Sequence, residues 1–262
     1  MGRNIGKQIP LPLGVVRRRL LYTLHPTLNN NAAQLHVTRS TTNKNMDITT
    51  LIKRYIGVET ASNVSIDVFD KDTIDAVYRR VIGVLKGHLN IELGVLQALS
   101  YCFYEVLDNV LIHAEKHVGT IITYNNEQQH ELRIVVADDG VGVHQSLKAN
   151  ELYKSVTEEE ALYAVIKDKV TDGQGLGFGL YATYLLIKNT SSSFEIRSGN
   201  HCLKMSGDKI EVSECEYWKG TIVYMQLRTD VEIDPNAVVE HRTDVEDEYD
   251  IMFNDNNPSE LW

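Results

Sequence analysis

Cysteine is scarce: Cys102, Cys202 and Cys215 are the only three in 262 residues, and no two stand at Cys-x-x-Cys spacing. An odd, unclustered set argues against a disulfide framework or a zinc site and predicts reduced thiols in a cytosolic protein. Long apolar runs are missing too. None approaches the ~18 residues that a membrane span requires, so a soluble, cytoplasmic protein with no membrane partner is expected. Acids are absent from one end and bases nearly absent from the other. Residues 1–46 carry seven Arg or Lys and no Asp or Glu, whereas residues 231–262 carry ten acids and one Arg. The net charge of -10 argues against bulk nucleic-acid binding and leaves only the basic arm, "VVRRRLLYTLHP", as a local patch for nucleic acid or a protein. That arm reads equally as a transit peptide, or as an extension upstream of a start at Met46.

Lysine is missing where one glycine run would need it. "GQGLGFGL", Gly173 to Leu180, has a glycine at every second position. A P-loop closes on Lys-Ser or Lys-Thr, and this run does not. A dinucleotide fingerprint follows an apolar strand, but "KDKVTD" precedes the run and its third glycine slot falls on Phe178 or Leu180. Bare backbone N–H groups in such a run still suit an anion.

What is present is one globular pattern from about Asp47. "NVSIDVF" alternates as a strand, and "DKDTIDAVYRRVIGVLKGHL" follows with a helical stripe of Ile74, Val77, Val81 and Leu85, with Asp70 or Asp72 as N-cap. "GVLQALSYCFYEVLDNVLIHAEKH" predicts a second long helix, and "GTIITYN" and "ELRIVVAD" predict two strands. Residues 143–172 are polar and irregular apart from "EEEALYAVIKD", as a lid or binding loop would be. The glycine run opens a third helix. "SFEIRSG", "HCLKMSG", "KIEVSE" and "GTIVYMQLR" read as four further strands ending near Thr229. The division expected is a basic extension over 1–46, a domain over 47–230 and an acidic tail over 231–262, in which Tyr249, Ile251, Met252 and Phe253 are positioned to dock. The order of elements suggests a single sheet with helices on one face.

The second helix carries the first candidate chemistry. Glu105, Asn109 and His113 stand at i, i+4 and i+8 in "YEVLDNVLIHA", a drifting row about 6 Å apart on a strongly apolar helix. Partly buried polar groups cost free energy unless paired, so such a row marks a site. An amide oxygen from Asn109 suits magnesium, and Glu105 could accept a proton from a water or hydroxyl. Taken alone, the row reads slightly better as a solvated helix edge. The second candidate is "IVVADDGVGV", where Asp138 ends a strand on the face of Leu132, Ile134 and Val136. A carboxylate there needs a donor, and the exocyclic amine of adenine would be one. Gly140 and Gly142 let a flat base lie near backbone. Alone, this too is an ordinary glycine-rich turn.

Together the motifs "EVLDNVLIHA", "DDGVG" and "GQGLGFGL" resemble, in order and separation, the N, G1 and G2 boxes of the gyrase, Hsp90, histidine kinase and MutL (GHKL) ATPase superfamily. The resemblance spans roughly residues 62–230. It implies the Bergerat ATP-binding fold, an α+β two-layer sandwich with a mixed, mostly antiparallel sheet and helices on one face. It also implies ATP and Mg²⁺ as cofactors. Carried over by position, Asn109 would hold Mg²⁺ and Glu105 would be the general base. Asp138 would read adenine in a pocket shaped by Gly140 and Gly142, and Gly173, Gly175 and Gly177 would wrap the phosphates. His113 falls where a basic residue often follows and would touch phosphate, or stands as a structural helix-edge histidine. Phe178 and Gly179 depart from the family's usual Leu and Ala, and Asp139 from its usual Asn.

A histidine kinase presents a phosphoacceptor His followed by an acid on a dimerisation helix, whereas His25, His36 and His88 precede Pro, Val and Leu. The 32 residues after 230 are too few for the following domain of gyrase and MutL types. The chain is therefore most similar to stand-alone modules such as anti-sigma-factor serine kinases. The expectation is a signalling or partner-switching module with γ-phosphoryl transfer to a protein Ser/Thr or to water, a regulatory protein partner and a possible homodimer. The alternatives are an ATP-gated binding switch with negligible turnover, and a vestigial pocket.

Overall fold

The computed structural model of the chain describes residues 47–57, 63–88, 90–113, 117–171 and 179–239. Five strands form one sheet in the order β1-β2-β3-β5-β4: β1 Val64–Asp70, β2 Val118–Asn126, β3 Glu131–Ala137, β4 Ser193–Ser206 and β5 Lys209–Arg228. Every pairing is antiparallel, so the sheet is uniform rather than mixed. Alternation decides its faces. Leu132, Ile134 and Val136 of β3 and Val223, Met225 and Leu227 of β5 point into one core, while Val135, Ala137 and Ile222 point into another.

The larger core lies under the helices. In α2, Ile74–His88, the stripe of Ile74, Val77, Val81 and Leu85 is buried. The turn before it is organised by the Asp70 carboxylate, which accepts from the Asp72 N–H at 3.0 Å and the Thr73 hydroxyl at 2.8 Å. Next comes α3, Leu93–His113, with eleven of its 21 residues buried. It alone among the described helices is long and apolar enough to cross a membrane by length and composition, yet 61% of that window is buried inside the domain. Against α3 lies α6, Gly179–Asn189.

Two differences from the sequence reading concern the strands and the outer face. The four short strands expected after Asn189 are two long ones. Glycine reads as a strand end, but at Gly199 (φ 63) and Gly220 (φ 92) the backbone passes through an irregular stretch and pairing resumes. The outer face, expected to be free of helices, carries one. Here α1, Ile48–Leu51, is N-capped by Asp47, whose carboxylate accepts from Thr49 N–H at 3.0 Å. It continues directly into a π-helical turn, Ile52–Ile56. Leu51, Ile52, Tyr55 and Ile56 pack on Ile122, Tyr124, Val135, Ala137 and Ile222. The sheet supplies apolar residues on both faces, and leaving the outer set in water would forfeit about 1.5–3 kcal/mol per large side chain.

At the other end, α7, Asn236–Val239, buries Val238 in the main core with Ile233 packed beside it. A Cβ on Gly94 would stand 2.1 Å from the Ile233 carbonyl oxygen. Residues 231–239, grouped with the acidic tail by composition, thus sit on the start of α3. Residues 1–46, Tyr249, Ile251, Met252 and Phe253 lie outside the described residues.

The outer core makes a test. Leu51 is 1% exposed, and Leu51→Ala should lower the free energy of unfolding by about 2–5 kcal/mol, read from urea denaturation.

Candidate functional site

Because α3 is apolar on most of its circumference, the few polar side chains it carries must share the side that is not packed. Glu105, Asn109 and His113 are each half-buried, as is Asp108. Burial raises the Asp108 carboxyl above its ordinary range while His113 pulls it down. The start of α6 lies directly over the row. A Cβ added to Gly179 would meet the Glu105 Cβ at 2.9 Å, the Asn109 Nδ2 at 3.2 Å and the Glu105 Oε2 at 3.3 Å. The two helices approach so closely there that any other residue would force them apart. Thr183, one turn on, donates its hydroxyl to the Gly179 carbonyl at 2.9 Å. Below this seam, burial holds the Cys102 thiol protonated far above its usual range.

The turn after β3 is the second wall. Asp138 and Asp139 are buried, at 6% and 4% exposure. The Asp138 carboxylate accepts the Gly140 N–H at 2.7 Å, and its backbone N–H donates to the Thr221 carbonyl at 2.9 Å. The Trp218 indole N–H donates to the Asp138 carbonyl at 3.0 Å. Gly220 permits this crowding, since a Cβ there would stand 2.4 Å from the Asp138 carbonyl oxygen and 2.6 Å from both its Oδ1 and the Gly140 nitrogen. Gly142, at φ 80, caps α4, Val143–Leu147. The Ser198 hydroxyl accepts the Val143 N–H at 2.9 Å and donates to the Gly220 carbonyl at 2.8 Å. Burial first, and the neighbouring Asp139 last, push the Asp138 carboxyl up to about 6, against the pull of the Gly140 and Thr221 backbone hydrogen bonds.

The two walls meet through α4, because the Ser146 hydroxyl lies 3.1 Å from the His113 Nδ1. His113 therefore joins the helix row to the turn. Gly173, Gly175 and Gly177 lie outside the described residues, as does Phe178. The long connection is more regular than its composition suggested. Besides α4 it holds α5, Glu158–Val165, opened by a capping box between Thr157 and Glu160. The Glu158 carboxylate reaches β4, accepting from the Asn200 N–H at 3.1 Å and lying 2.9 Å from the His201 Nδ1. That contact, with His201 the leading cause, holds the Glu158 carboxyl below its ordinary range.

Reading the sequence missed Ser198, Trp218 and Gly220, and named Gly179 only as a departure from the family's alanine. Gly220 opens "GTIVYMQLR" and Gly179 closes the glycine run, so glycine itself was the available clue. Ser198 and Trp218 carried none, since each acts across the β4–β5 ladder.

An adenine nucleotide with a divalent cation fits what is present. Asp138 is a buried carboxylate with one N–H donor on Oδ1, and Glu105 and Asn109 offer oxygen atoms beneath the N-terminus of an eleven-residue helix. No cluster of three or more His, Cys, Asp or Glu able to hold a metal by itself occurs among the described residues. A family model described as "Histidine kinase-, DNA gyrase B-, and HSP90-like ATPase" matches residues 94–231, over half of the chain. No curated protein matches the chain.

The buried carboxylate sets a pH test. Asp138 titrates at about 6 in the fold and near its ordinary 3.8 when unfolded, so its ionisation opposes folding. The cost is absent below about pH 4, grows up to about pH 6 and is constant above. Asp138→Asn keeps an oxygen for Gly140 and loses the charge. It should be more stable than the parent by on the order of 1–3 kcal/mol at pH 7.5 and equally stable near pH 4, as measured by urea unfolding at both pH values.

Proposed function

The chain belongs to the histidine kinase-, DNA gyrase B- and HSP90-like ATPase family, and from that premise we propose a Mg-ATP-dependent signalling enzyme. It is an ATP-binding module of that superfamily. Its reaction, on our reading, is γ-phosphoryl transfer to a Ser or Thr of a protein partner, or to water. The observation that carries this reading is the close seam in which Gly179 brings the start of α6 against Glu105 and Asn109.

Each residue then has a part. Asp138 accepts a hydrogen bond from the exocyclic amine of adenine, and Gly140 and Gly142 bring backbone close to the base. Asn109 would hold Mg²⁺ through its amide oxygen, and an ion bound there would supply charge neutralisation for the phosphates. Glu105 takes the proton of the attacking hydroxyl or water as its lone pair turns to phosphorus. His113 stands one turn beyond Asn109, and Gly173, Gly175 and Gly177 supply backbone N–H groups to the phosphates. We assign the catalytic domain to residues 47–230, the basic extension to 1–46 and the acidic tail to 231–262, of which the first part, 231–239, packs on the domain. The partner is a regulatory protein, the compartment the cytoplasm, and self-association as a homodimer is compatible with the assignment. Nucleic acid would be met only by the basic arm.

One observation favours a second reading, an ATP-gated protein switch with negligible turnover. The carboxylate of Glu158 ties α5 to β4 through Asn200 and His201, so the connection has an anchor of its own that nucleotide could engage or release.

Glu105→Ala separates the two. The enzyme reading predicts a fall of about 10²–10⁴-fold in ATP turnover and phosphotransfer, with the nucleotide Kd changed little in calorimetry. Undetectable turnover in the parent chain, together with partner capture that requires a non-hydrolysable ATP analogue, would establish the switch instead.

A further inference from the structure

The outer face of the β4–β5 hairpin holds a cluster that nucleotide chemistry does not use. Alternation along β4 is reversed by the register shifts on either side of Gly199. Ile196 and Leu203, seven apart, both enter the main core. Their neighbours Arg197 and Cys202 therefore both belong to the opposite face. On β5, Cys202 faces Ser213 in the ladder, with its sulfur 3.7 Å from the serine hydroxyl. Cys215 lies two residues on, on the same face and next to the shift. The Cys215 thiol interacts directly with that of Cys202. Cys202 is 2% exposed and Cys215 only partly covered.

Arg197 supplies a second observation. It is 2% exposed. Its guanidinium donates to the Glu216 carbonyl at 3.3 Å and to the Glu195 carboxylate at 3.4 Å, while its Nε has no hydrogen-bond partner. Glu195 is itself shared with the Tyr55 hydroxyl at 2.9 Å and lies 4.0 Å from Lys204. The charge of Arg197 acts on the Cys215 thiol. A buried guanidinium with a donor to spare, beside two thiols in contact, suits a thiolate that forms there transiently.

We propose that Cys202 and Cys215 are a reversible two-thiol oxidation site, closed to a cross-strand disulfide by a small hydroperoxide and reopened by a dithiol. The more accessible Cys215 loses its proton and its sulfur attacks the hydroperoxide oxygen. The O–O bond breaks, leaving a sulfenic acid on Cys215 and releasing water or an alcohol. The Cys202 sulfur then attacks the Cys215 sulfur, the S–O bond breaks and a second water leaves. Two thiols are oxidised and one peroxide is reduced. In the resting protein both are thiols. Burial raises Cys215 to about 11 although Arg197 pulls it down, so the reaction should be slow at pH 7 and quicken about tenfold per pH unit up to about pH 10. The site adjoins Asn200 and His201, the residues of β4 that hold Glu158 of α5.

The test treats the full chain with hydrogen peroxide, blocks residual thiols with iodoacetamide under denaturing conditions and reads intact and peptide masses. The expected result is a chain carrying one blocking group, on Cys102, and otherwise about 2 Da lighter than the dithiol, a linked peptide pair containing Cys202 and Cys215, and recovery with dithiothreitol. Cys102→Ser should behave as the parent. Cys202→Ser should stop at a dimedone-reactive Cys215 with no loss of about 2 Da. Arg197→Lys, which keeps the charge but not the unpartnered Nε, should slow closure several-fold while leaving the linked pair unchanged. Cys215 advancing to the sulfinic acid in the parent, or no linked pair at any pH up to 10, would overturn the proposal.

Discussion

Everything near the site depends on how completely α3 is wrapped. Sheet, α2, α6 and the short α7 each take part of its surface, so a helix of mean apolar character has one side left where Glu105, Asn109 and His113 can stand half-buried. Partial burial is what gives these groups chemical value. In full solvent a carboxylate and an amide would be ordinary, and in the core they would need complete pairing. The close seam with α6 sets the remaining gap. A residue larger than glycine at 179 would widen it from below, by pushing against Glu105 itself.

The turn after β3 solves a different problem by similar means. A carboxylate is held out of water by backbone that crowds in from β5, and the crowding is possible only because Gly220 lacks a side chain. The cost appears in the raised titration point of Asp138. On the role proposed for Asp138, stability and binding are in tension there, since folding energy is given up to keep a carboxylate dry and ionised at neutral pH. Natural sites commonly carry such tension. Trp218 and Ser198 brace the turn from the neighbouring strands, so the fold itself holds the turn in place.

The parts of this arrangement legible in the sequence were those written in local periods. The row on α3 repeats every four residues, the buried stripe of α2 is a helical pattern, and Asp138 follows the alternation of Leu132, Ile134 and Val136. The two-layer α+β architecture followed from the order of such segments. Less visible was whatever depends on pairing between strands. Gly199 and Gly220 look like strand ends, and only the ladder shows that β4 and β5 run through them with a change of phase. The outer helical segment was hidden for another reason. It is nine residues long, and its last five form a π-helical turn whose spacing differs from the α-helical stripe being sought. Gly179 was visible as a glycine in the run that opens the third helix, but its role, to let two helices touch, was not.

The outer helix also decides where the two charged ends of the chain are rooted. The segment after residue 46 enters on the outer face of the sheet, against Ile122 and Val135. The segment that ends at Val239 leaves from the helical layer, beside α3 and α6. The described chain is thus pinned to opposite faces of one sheet by its first and last segments, and fraying at either one would uncover a different core.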